Sequence, residues 1–116
     1  MPHCCHGLHC GAPCPPKHLL CPACWAHVPG VLQREVHRTV KLRGTTRDHT
    51  WAPWWRAQAQ ARYESYRVRM RAKLVAARSS GVSDADQLIV EAALTRAQAW
   101  LNQQLDIAKD MERLNA

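Results

Sequence analysis

The first 27 residues, MPHCCHGLHCGAPCPPKHLLCPACWAH, hold all six cysteines and five of the seven histidines of the chain. Thiolate and imidazole are ligands that suit zinc, and thiols also pair as disulfides. Compartment separates the two uses. Residues 1–10 contain no apolar run of the kind that forms a signal-peptide core, and nothing downstream approaches the roughly 18 apolar residues of a membrane span. A cytosolic chain with reduced thiols is therefore expected, and with it a metal site in preference to cross-links.

Spacing narrows the ligands. Cys21, Pro22, Ala23 and Cys24 form a CxxC knuckle, a turn tight enough for two thiolates to reach one zinc ion at about 2.3 Å. A tetrahedral shell needs a second pair. Cys5 with Cys10 leaves ten residues before the knuckle, and Cys10 with Cys14 leaves six that include Pro15 and Pro16. The longer loop bends back more easily, so Cys5, Cys10, Cys21 and Cys24 are the preferred set, with Cys14 and His6 as alternates.

Catalytic uses of the cluster fit less well. A zinc deaminase needs His-x-Glu ahead of its Pro-Cys-x-x-Cys, but the residue before this knuckle is Leu20 and the first acid of the chain is Glu35. A c-type haem needs His after CxxC, and position 25 is Trp. Four thiolates close the shell, whereas a catalytic zinc keeps one position open. With no phosphate-binding glycine loop and no nucleophile and base in a recognisable context, the expected site is structural and the chain is expected not to be an enzyme.

Cys5, His6 and Cys10, then Leu20, Cys21, Cys24, Trp25, Val28 and Pro29, resemble the CHxxxC and CxxHW patterns, with a following Val-Pro, of small zinc-knuckle proteins from tailed bacteriophages and prophages. The resemblance covers residues 3–42, and it departs from that pattern at Cys24, where the family usually has His. It implies a viral or prophage origin, the cytoplasm of an infected or lysogenic host, and no particular activity.

The rest of the chain reads as helix. Pro29 and Gly30 open a helix over 30–42 that places Val31, Leu32, Val36 and Val40 near one face. Residues 43–50 read as a loop, with Thr50 as a cap for a second helix over 52–78, rich in Ala, Gln, Arg and Leu. After Gly81, Ser83 with Asp86 marks the start of a third helix over 84–114. Its apolar stripe combines Trp100, Ile107 and Leu114 with Ala97, Leu101, Leu105, Ala108 and Met111. The expected fold is mainly α: a zinc knuckle over 1–27, short and of zinc-ribbon or treble-clef type, then a helical region over 28–116. That region ends in a long antiparallel hairpin that packs on the first helix, dimerises or meets a partner.

Charge adds a second candidate surface. The formal net charge is +7, but residues 51–80 carry seven bases and one acid while residues 81–116 carry three bases and six acids. Arg67, Arg71 and Arg78 fall on one helical face, with Arg62, Arg69 and Lys73 beside them and Trp54 and Trp55 near the start of the same helix. Such a face suits a protein partner or the phosphates of DNA or RNA, unless the arginines pair with the acidic third helix. The leading functional expectation is a phage accessory protein that inhibits or redirects a host protein or ribonucleoprotein machine, in the manner of anti-CRISPR and other counter-defence factors. The alternative is a zinc-containing nucleic-acid-binding regulator.

Overall fold

The computed structural model describes residues 5–14, 18–42, 51–78, 81 and 84–114. Four helices occur in them: α1 (Pro22–Trp25), α2 (Gly30–Leu42), α3 (Trp51–Arg78) and α4 (Asp84–Leu114), with no β-strand among the described residues. The ranges of α2 and α4 coincide with the expected 30–42 and 84–114, and α3 begins one residue earlier than expected. The loop over 43–50, with its Thr50 cap, and the Ser83 cap lie outside the described residues. Gly81 has a φ of +84°, a left-handed conformation that glycine adopts without steric cost. None of the helices among the described residues is long and apolar enough to cross a membrane.

α1 is a single turn made by the knuckle itself. Pro22 occupies its first position, where a missing N–H costs nothing, and the amides of Trp25 and Ala26 donate to the carbonyls of Cys21 (2.9 Å) and Pro22 (3.0 Å). Gln33, in the second turn of α2, donates from Nε2 to the carbonyls of both Trp25 and Val28 at 3.1 Å. One side chain thereby joins the end of the knuckle to α2.

α3 is the central element, because α1, α2 and α4 all pack against it. Arg56 near the start of α3 pairs with Glu112 near the end of α4, and Arg62 lies over the Trp100 ring, so the two helices run in opposite senses. One face of α3 puts Ala57 and Ala61 into a cluster with Cys5, Leu20, Cys21, Cys24, Val28 and Val36. Another puts Ala59, Tyr63 and Tyr66 against Ala97 and Leu101 of α4. The knuckle thus shares its core with the helical region.

The stripes differ from expectation in detail. On α2, Val36 and Thr39 are buried and Leu32 and Val40 half-buried, while Val31 is 68% exposed. Val31 precedes Val36 by five residues, about 140° around the helix, which turns it out of the stripe. Thr39 takes the inner place because its hydroxyl donates to the Glu35 carbonyl (2.8 Å) and so buries no unmet polar group. On α4, Ala97, Leu101 and Ala108 form the centre and Ile107 lies at the edge.

The core these helices build is small-residue and thin. The largest fully buried side chains are Thr39, Cys24 and Ser65, and much of the remainder is alanine. At about 0.8 kcal/mol per buried CH₂, such a core leaves little margin over conformational entropy.

Candidate metal centre

The polypeptide reaches the centre from two directions. Residues 5–10 turn around Gly7, with the Cys10 amide donating to the Gly7 carbonyl (3.1 Å) and His9 at a φ of +58°. The intervening segment returns beside them, where the Cys5 amide meets the Ala12 carbonyl (2.7 Å) and the His6 amide meets the Leu19 carbonyl (3.0 Å). These bonds bring the Cys5 and Cys10 pair against the CxxC turn.

The Sγ atoms of Cys5, Cys10, Cys21 and Cys24 all lie within 4.8 Å of one another, and those of Cys10 and Cys21 are 3.9 Å apart. Sulfurs bound at about 2.3 Å to one tetrahedral ion stand about 3.8 Å from each other. None of the four forms a disulfide. Gly7 closes one side: a Cβ there would sit 3.1 Å from the Cys24 sulfur and 3.2 Å from the Cys5 sulfur. The four sulfurs form a cluster that could hold a single metal ion.

The surroundings suit anionic sulfur. Cys5 Sγ accepts from the amides of Cys21 (3.1 Å) and Gly7 (3.3 Å), the kind of donors that steady a thiolate. Burial nevertheless pushes the Cys5 thiol up, with those two amides acting against it. Burial also pushes Cys24 up, reinforced by the hydrogen bonds its thiol donates to the neighbouring sulfurs and offset in part by the Arg69 charge. Cys10 goes the other way, lowered to about 7 chiefly by the Ala12 backbone amide. One sulfur is therefore readily ionised near neutrality, while burial favours the protonated form of the other two.

α3 supplies an outer wall that the sequence did not announce. Ser65, fully buried, donates from Oγ to the Cys24 carbonyl at 2.6 Å. Arg62 donates from Nε to the His6 carbonyl (2.7 Å), and Arg69 from Nη2 to the Leu8 carbonyl (2.7 Å) and from Nη1 to the Cys24 sulfur (3.6 Å). Positions 62, 65 and 69 follow one stripe of the helix, beside buried Tyr66. Polar residues at that spacing, flanking Ala57 and Ala61, were the available signal that this face is not simply solvated.

The other expected residues fall as follows. Cys14 is half-buried and outside the cage, its thiol donating to the His18 carbonyl (3.7 Å), and His6 is exposed, so neither alternate joins the four sulfurs. Arg67 pairs with Glu64 at 2.7 Å. Arg71 and Lys73 are exposed, and the Arg78 side chain lies outside the described residues. Trp54 and Trp55 are half-buried, part of an edge-to-face series with Trp51, and the Trp55 indole N–H is buried without a partner among the described residues. Trp25 packs on the knuckle cluster and meets His37 edge-on at 5.4 Å.

Fold and site together define a mainly helical protein with a four-cysteine cluster compatible with metal binding. Comparison with protein-family models, with curated proteins and with solved structures finds no match.

Proposed function

We propose that the chain is a non-enzymatic accessory protein in which one zinc ion, held by Cys5, Cys10, Cys21 and Cys24, builds a knuckle of zinc-ribbon or treble-clef type on a helical hairpin. Its task is to dock on a host protein or ribonucleoprotein machine and inhibit or redirect it, as counter-defence factors of phages do. The observation that carries the structural role is the cage: four sulfurs within 4.8 Å, closed by Gly7 and the α3 arginines, use up a tetrahedral shell and leave no position for substrate. Zinc suits this donor set because four thiolates in a tetrahedron are its common structural environment. The phage setting is supported by the CHxxxC and CxxC motifs with the following Val28 and Pro29.

The arginines bear on the partner. Arg62 and Arg69 are engaged with the knuckle backbone, Arg56 with Glu112 and Arg67 with Glu64. Among the described residues that leaves Arg71 and Lys73 as the exposed, unengaged part of the expected basic track, a short purchase for a phosphate backbone. The geometry thus favours a protein surface over nucleic acid. The nucleic-acid reading keeps those two cations and Arg34 and Lys41, exposed on α2.

Affinity capture of the tagged protein from a bacterial lysate, with and without nuclease and with zinc measured on the eluate, tests the proposal. One zinc per chain and a stoichiometric host complex that survives nuclease, and is lost when Cys24→Ser removes a ligand, is the expected result. Nucleic acid that co-purifies until nuclease removes it, with no protein complex, would overturn it in favour of the second reading.

A further inference from the structure

The far end of the α3 and α4 pair is built differently from the rest. Up to Met70 and Leu94 the two helices enclose the second core cluster. Beyond it, no described residue of α3 over 71–76 or of α4 over 84–93 is buried. Yet this tip is apolar in part: Val75 and Leu88 are 65% exposed and Ile89 64%, with Leu74 and Val90 half-buried beside them. Two helices alone cannot enclose an apolar face between them and water; four can.

Charge indicates what completes the set. Between positions 71 and 93 the chain has three bases, Arg71, Lys73 and Arg78, all on α3, and three acids, Asp84, Asp86 and Glu91, all on α4. The tip is therefore neutral in a chain of net charge +7, so two copies can meet there without the repulsion that opposes contact elsewhere. Its two helices are of opposite sign. A two-fold axis through the tip sets the basic α3 of one copy against the acidic α4 of the other, twice over, which is the self-complementarity that a symmetric dimer requires.

We infer that the tip is a homodimer interface: Val75, Leu88 and Ile89 of two copies form a short four-helix bundle, framed by Arg71 and Lys73 against Asp86 and Glu91 across the axis. A patch of two or three helical turns is at the small end of specific interfaces, about 1,200 Å² in total, so the dimer is in exchange with monomer at micromolar concentration. The tip uses none of the contacts that hold the cysteine cluster, and it shares Arg71 and Lys73 with the basic face that the proposed partner would meet.

Sedimentation velocity on the zinc-loaded full chain from about 1 to 200 µM, at 150 mM salt, reads the equilibrium. Mass should rise with concentration from 13.1 kDa toward twice that value. Leu88→Gln with Ile89→Gln should raise the dissociation constant at least tenfold with helicity unchanged, while Val31→Gln, equally exposed but on α2, should leave it alone. Chains carrying Arg71→Glu and Lys73→Glu should fail to self-associate, as should chains carrying Asp86→Lys and Glu91→Lys, and the two mixed should pair. A wild-type chain that stays monomeric throughout would overturn the inference. So would a dimer indifferent to the Leu88 and Ile89 changes, or charge variants that do not pair when mixed.

Discussion

Replacing Arg69 by Met should separate the metal site from the helix that backs it. Met matches much of the aliphatic length of Arg and removes its charge and all its donors. Besides the guanidinium's place over the Tyr66 ring at 5.7 Å, two hydrogen-bonding contacts are lost: the 2.7 Å bond to the Leu8 carbonyl and the 3.6 Å contact with the Cys24 sulfur. They belong to different states. The Leu8 bond exists with or without metal, and a charged hydrogen bond of this kind contributes about 1.5–3 kcal/mol, which should appear as lost stability in both forms. The sulfur contact gains its full strength only when Cys24 is a thiolate, that is, with the metal bound. Outer-shell partners of metal ligands typically change affinity by about 10–100-fold, so zinc should bind the variant more weakly by about 1.4–2.7 kcal/mol. Competition for zinc with a chromogenic chelator measures that difference directly. Arg71→Met, on an exposed neighbour, should bind zinc as the wild type does, and Arg69→Lys should recover only part of the loss because an ammonium cannot fork between two acceptors. Unchanged zinc affinity in a folded Arg69→Met protein would refute the reasoning.

Three further outcomes follow from the same geometry. Chelating the metal should remove about 4 kcal/mol of stability if free zinc stands near a thousand times its dissociation constant, lowering Tm by roughly 15 °C in a calorimetric scan. Gly7→Ala should weaken zinc binding and cost about 1–3 kcal/mol, because its Cβ would sit 3.1 Å from Cys24 Sγ and 3.2 Å from Cys5 Sγ and the sulfurs must shift to admit it. Zinc affinity should fall as pH falls, since binding expels thiol protons. Cys10 is lowered to about 7, so it binds a proton in the metal-free protein only below that pH. Calorimetry in buffers of different ionisation heat should therefore find about one more proton released per zinc at pH 6 than at pH 8, while Cys5 and Cys24, pushed up by burial, release theirs at both.

The parts of the structure that were legible in the sequence are those governed by neighbours along the chain. Gly30 after Pro29, and the acidic turn of Asp84 and Asp86, bound α2 and α4 at the residues expected. The ten-residue loop between Cys10 and Cys21 selected the four cysteines that the fold brings together. What could not be read locally joins distant positions. Arg62 meets His6 across 56 residues and Arg69 meets Leu8 across 61; the polar spacing beside Ala57 and Ala61 marks a face that is not simply solvated, but nothing along the chain tells which carbonyls the arginines reach. The exposure of Val31 likewise required knowing which side of α2 faces α3, a matter of about 140° that a count of apolar residues does not resolve.

The central position of α3 has a consequence for how the molecule comes apart. Its two alanine-bearing faces serve different neighbours, the cysteine cluster and α2 on one, α4 on the other, and Leu8 and His9 reach from the N-terminal loop to the α4 cluster. Opening need not be all-or-none. α4 can come away while the knuckle keeps its sulfurs against Ala57 and Ala61, and losing the knuckle and α2 likewise frees only one side of α3. Native-state hydrogen exchange should then rank α3 amides slowest, and added zinc should slow α2 and α3 more than α4. In those terms α3 is a shared wall between two units that can open one at a time, the cysteine cluster with α2 on one side and α4 on the other.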